Sequence, residues 1–181
     1  MTDTPLSLGT RDGLPEALRV LVNEIPRDVW SAHPDFGGMV AFWLDRHMMF
    51  RKLLGILETD AKALVGQTIS FEEYAPRLSR YGGMFLNELH GHHQIEDTQY
   101  FPRLSKLDPR IEAGFALLEA DHEAMDGLLH DMAGAANAVL QGGTPERFTD
   151  HLIPFHRMLD RHLLDEEDII VPVILKSGFT G

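Results

Sequence analysis

Two stretches of this chain repeat one pattern. His92-His93-Gln94-Ile95-Glu96 running on to Pro102, and His162-Leu163-Leu164-Asp165-Glu166 running on to Pro172, both read H-x3-E-x5-P at an offset of 70 residues. With 10 His, 13 Glu and 10 Pro in 181 positions, 10 × (13/181) × (10/181) gives about 0.04 matches by chance. Composition therefore does not explain two. On a helix, residues four apart lie on one face a turn apart, so each pair can aim an imidazole and a carboxylate in one direction. Glu/His pairs on facing helices are how helical bundles build dinuclear carboxylate sites. The glutamates can bridge two metal ions while the histidines cap them.

The surrounding sequence supplies the bundle. From Met39 to about Leu64, Val40, Trp43/Leu44, His47, Phe50, Leu54 and Leu57 recur at helical spacing, and Gly66 ends the run. Ser70 with Glu73 has the form of a capping box, predicting a second helix from Phe71 to about Tyr100, kinked at or regular only from Pro76. Asp108-Pro109 starts a third, with Ile111, Phe115, Leu118, His122, Met125 and Leu129 on one stripe and Gly142-Gly143 at its end. Thr144-Pro145 starts a fourth, running to about Lys176 and interrupted or kinked at Pro154. No alternating strand pattern appears. The expected fold is all-α: an antiparallel up-down four-helix bundle over residues 37–181, with a short N-terminal helical segment, residues 1–36, packing on it. Within that segment the amphipathic stretch Leu14–Ile25 is stopped by Pro26.

The first and third helices each place one histidine in an apolar stripe, His47 and His122, again at a near-repeating offset. The halves thus contribute two His and one Glu each. The candidate ligand set is His47, His92, Glu96, His122, His162 and Glu166. His90 and His93 lie about 160° and 100° around the helix from His92, which makes both solvated or outer groups. His156 lies off the His162 face, and His151 is three turns, about 16 Å, away along it. His33 and His130 read as surface residues. Asp97, Glu167 and Asp168 read as solvated acids, one or more of which can hold a ligand imidazole's second nitrogen. Trp43, Phe50, Phe85, Phe115 and Phe155 read as core, some lining the route to the metals.

Charge and composition narrow the partners. Sixteen Lys+Arg against 28 Asp+Glu leave a net charge of −12, which argues against nucleic acid or an anionic membrane. There is no cysteine, hence no disulfide, thiolate ligand or iron–sulfur cluster. The apolar stretch Ile169–Leu175 is far short of the ~20 residues of a membrane span. MTDTPLSLGTRDG lacks the basic and apolar regions of a signal peptide. A cytoplasmic location is expected.

His47, His92-x3-Glu96, His122 and His162-x3-Glu166 together resemble the hemerythrin-like, HHE cation-binding domain family, over about residues 37–177. The resemblance implies two iron ions bridged by two carboxylates and an oxo or hydroxo group. Oxygen-carrying hemerythrins have a second histidine one turn along the third helix, where this chain has Asp126, and H-x4-D on the fourth, where it has H-x3-E. The variant here is closer to proteins that repair iron centres damaged by nitric oxide or oxidants. Two His on each ion, two bridging Glu and one bridging oxygen would leave both ions five-coordinate, each with an open position unless Asp126 fills one. The expected function is reaction with NO, O2 or peroxide, in stress response or iron-centre repair. The alternative is a sensor or binding protein for O2 or NO without turnover. Zinc and manganese also suit these ligand types, although zinc's four-coordinate preference fits six clustered ligands less well.

Overall fold

The computed structural model describes residues 7–181; residues 1–6 of the expected N-terminal segment lie outside the described residues. Four long helical runs lie antiparallel, preceded by short helices. The segment ahead of the bundle holds a 3-10 turn at Glu16–Leu18, then α1 (Val20–Glu24) and α2 (Arg27–Trp30), with Pro26 between them. The first long helix is α3 (Met39–Val65).

The second run is continuous but changes pitch. It comprises α4 (Phe71–Arg77), a π-helical turn at Leu78–Gly82, α5 (Gly83–Ile95), a second π turn at Glu96–Tyr100, and α6 (Phe101–Leu104). The capping box is formed: the Glu73 N–H donates to Ser70 Oγ, and the Ser70 N–H to the Glu73 carboxylate. Pro76 lies inside helix, directly before the first π turn.

A 3-10 turn at Pro109–Ile111, capped by Asp108, leads into α7 (Glu112–Leu140). The last helix, α8 (Pro145–Ser177), is assigned as one helix through both Pro154 and Pro172. It stops at Gly178, whose left-handed φ of 65° lets its N–H reach the Ile174 carbonyl. Among the described residues, no helix is long and apolar enough to cross a membrane.

Burial divides the core into two apolar clusters. One contains Phe50, Leu54, Phe85, Leu89, Met125, Phe155 and Leu159. The other contains Val40, Trp43, Phe101, Phe115, Leu118 and the α8 residues Ile169–Leu175 other than Pro172. The C-terminal end of α8 is apolar all round, and such a helix must be covered on every side. The N-terminal segment provides the extra cover: Leu14, Leu18, Leu21, Val22 and Trp30 pack into the same cluster. Each long helix crosses from one cluster to the other at a histidine or glutamate. A thin buried polar layer is thereby held between two dry ones.

Candidate metal centre

The polar layer is built from His47 on α3, His92 and His93 on α5, Glu96 at the following π turn, His122 on α7, and His162 and Glu166 on α8. All are buried except His92, whose side chain is 10% exposed. Their donor atoms form two groups. His47, His92, Glu96 and Glu166 make one and His93, His122 and His162 the other, with the atoms of each group within 4.8 Å of one another.

The two glutamates span both groups. Glu96 Oε1 lies 2.8 Å from His92 Nε2, and Glu96 Oε2 lies 3.6 Å from His122 Nε2. Glu166 Oε1 lies 3.2 Å from His47 Nε2, and Glu166 Oε2 lies 3.2 Å from His162 Nε2. Within each group the histidines converge: Nε2 to Nε2 is 3.3 Å for His47 and His92, and 3.2 Å for His122 and His162. Adjacent ligands on an ion with bonds of about 2.1 Å stand about 3 Å apart, so these spacings suit one cation per group.

The hydrogen bonding gives an independent test of that fit. Both oxygens of Glu96, Glu166 Oε2 and both ring nitrogens of His93 are buried without a hydrogen-bond partner among the described residues. Orphaned buried polar atoms are rare and costly. Five of the seven such side-chain atoms among the described residues lie in this layer, the others being the Tyr74 hydroxyl and Arg161 Nε, and all five can ligate a metal. Burial and then the neighbouring Glu166 carboxylate push Glu96 well above the usual carboxylate range. Burial works the same way on Glu166, but His47 and His162 hold it well below that range. Burial opposes charge on His162, yet Asp121 and Glu166 lift it to about 9. Burial lowers His92 to about 3 and His93 well below its ordinary value, leaving both as neutral imidazoles with a lone pair to give. Burial and Glu166 thus disfavour charge on Glu96, while neighbouring carboxylates favour it on His47 and His162.

Around this layer, carboxylates hold the other ring nitrogens, the usual arrangement behind metal-ligating histidines. His47 Nδ1 lies 2.9 Å from Glu167 Oε1, His122 Nδ1 2.8 Å from Asp97 Oδ1, and His162 Nδ1 3.3 Å from Asp121 Oδ2. Trp43 Nε1 donates to Glu166 Oε1 at 2.5 Å. The His47, His92 and Glu96 side faces a cavity of about 580 Å³, into which His92 and Glu96 project between Met39, Phe42, Trp43 and Tyr100.

The six residues expected from sequence all converge. Two expectations need correction. His93 is not solvated but buried at 3%, its ring stacked on His122 at 4.0 Å and its donor atoms close to those of His122 and His162. With His93 included, the histidines of the two groups number three and two. Glu167 is likewise buried rather than solvated, while Glu167 on His47 Nδ1 and Asp97 on His122 Nδ1 take the imidazole-holding place expected of one or more of these acids. Asp126 lies outside both groups, exposed at the surface, 3.7 Å from His90.

A sequence model of the hemerythrin HHE cation-binding domain matches residues 38–174. The chain belongs to the hemerythrin HHE cation-binding domain family. No curated protein and no solved structure matches it significantly. The match runs from the residue before α3 nearly to the end of α8 and contains all seven clustered residues. It leaves out the segment that carries α1 and α2.

Proposed function

We propose that this HHE domain holds two iron ions bridged by Glu96 and Glu166 and admits one small oxidant, O2, NO or peroxide, on its His47–His92 side. The observation that carries this reading is the unequal division of histidines. With His93, His122, His162, one oxygen from each glutamate and one bridging oxygen, one ion would be six-coordinate and closed. His47 and His92 with the same three bridges would make only five, which would leave a single position open. When bound, iron supplies a Lewis-acidic, redox-active open position for such a ligand.

The chain's own residues set what reaches that position. The cavity against His92 and Glu96 offers the route in, on the side with fewer histidines. Its walls are Met39, Phe42, Trp43, Ile95 and Tyr100, an apolar lining suited to an uncharged diatomic. Arg46 and Glu88 pair across the rim and set the polarity of the entrance. Trp43 fixes the orientation of Glu166 through its indole N–H. The one-sided opening favours binding of one ligand over a reaction that needs two NO molecules side by side, the chemistry of a symmetric centre.

The test is a titration of the iron-loaded protein with NO, followed optically. One NO per two irons is expected. Two NO per two irons would contradict the asymmetric reading and restore the symmetric one.

A further inference from the structure

The N-terminal segment lies ahead of the family match, yet it reaches the candidate ligands through two buried or half-buried arginines. Arg11 is buried and grips Asp121 with both terminal nitrogens, Nη1 to Oδ1 at 3.2 Å and Nη2 to Oδ2 at 2.5 Å. Its Nε donates to Asp165 at 2.8 Å. The same Asp121 stands behind His162. On the opposite side, Arg27 donates from Nη1 to Glu167 at 2.7 Å, and Glu167 stands behind His47. Each group of candidate ligands is thus linked, through one carboxylate, to an arginine of the same short segment.

We propose that Arg11 and Arg27 are positioning residues, through which the N-terminal segment sets how strongly His162 and His47 donate to the bound metal ions. This rests on the reading of those histidines as ligands. An imidazole whose Nδ1–H points at a carboxylate is a stronger donor at Nε2. A guanidinium on that carboxylate draws negative charge away, weakens it as an acceptor and restrains the imidazole. Both cations also favour the less positive, reduced state of the centre by simple repulsion. Removing either arginine should stabilise the oxidised state. The effects should be unequal, because Glu167 keeps Arg51 at 2.9 Å when Arg27 is lost, whereas Arg11 supplies the two-pronged clamp on Asp121.

The experiment is the midpoint potential of the full, iron-loaded chain in Arg11→Met, Arg27→Met and Arg11→Lys variants, with metal content and helicity recorded beside it. Arg11→Met should favour oxidation about tenfold, which is ~59 mV downward for one electron. Arg27→Met should shift in the same direction by less, and Arg11→Lys should recover most of the Arg11→Met loss. Potentials within about twofold of the wild-type equilibrium in both Met variants, with metal content unchanged, overturn the proposal. So does a failure of Lys to recover any of the shift, which would mark a packing effect rather than one of charge. If Arg11→Met does not fold, Arg27→Met decides alone, since that arginine's side chain is 39% exposed and tolerates replacement. Cobalt(II)-loaded protein gives a parallel readout, a change in ligand-field spectrum in the Met variants and none in the Lys variant. A wild-type chain that takes up no metal removes the reading beneath this proposal. A chain that loads but ignores both arginines removes this proposal alone.

Discussion

Glu96 carries two histidines near its own face, His92 four residues before it and His93 three before, at about +40° and −60° around the axis. Each can therefore serve a different end of that carboxylate, and His92 falls in one group of donor atoms and His93 in the other. A H-H-x2-E pattern thus held the signal for the seventh residue. It becomes visible when angles are taken from the bridging glutamate rather than from the first histidine. The six other residues were legible because a doubled spacing and two lone histidines in apolar stripes leave little else for them to do. Asp126 points to the surface. His93→Phe keeps the ring stacked on His122 while removing its nitrogens. It should weaken the second metal ion by at least the about 10–100-fold that follows loss of an outer hydrogen-bond partner. Retained metal, measured by elemental analysis after dialysis, should fall from two per chain toward one, while His90→Phe should leave it unchanged. Full retention in His93→Phe would remove it from the ligand set.

At the scale of the helices, starts and stops were readable because their chemistry is local. The Ser70/Glu73 capping box, Asp108-Pro109 and Thr144-Pro145 stand where the structure begins its helices. The two π turns were not readable, since nothing in Leu78–Gly82 or Glu96–Tyr100 announces an extra residue per turn. They follow from tertiary demands: Pro76 before the first, and a buried glutamate opening the second. Pro154 leaves α8 assigned as one helix, because packing against α3 and α7 outweighs one lost hydrogen bond. One of those contacts is pH-sensitive. His156 Nδ1 on α8 lies 2.5 Å from Glu58 Oε1 on α3. Partial burial works against charge on Glu58, but His156 and Lys62 hold its carboxyl below the ordinary 4.5. A depressed carboxyl adds stability above its unfolded value, and that stability is lost as pH falls through the lower folded value. Wild type should therefore exceed Glu58→Gln in urea midpoint at neutral pH, with the gap closing below 4.5. A gap that persists or widens in acid would contradict this pairing.

Across the whole molecule, the polar layer lies between two apolar clusters, which enclose it except where His92 and Glu96 meet the cavity. The N-terminal segment is part of that enclosure. Its amphipathic stretch was legible as something that packs on the bundle. Its arginine links to the ligand layer were not, because a lone Arg11 or Arg27 carries no spacing signal. Trp30 is buried against the end of α8 with its indole N–H on the Ile25 carbonyl at 2.8 Å. Trp30→Ala should cost about 3–5 kcal/mol in urea unfolding. A loss below about 1 kcal/mol would mean that the segment contributes little to the enclosure. The central claim is a pair of iron ions in unequal surroundings, three histidines on one and two on the other. The most direct measurement is the Mössbauer spectrum of the reduced chain loaded with 57Fe. Two distinct ferrous environments of equal area are predicted, and a single environment, or one iron per chain, would contradict the account.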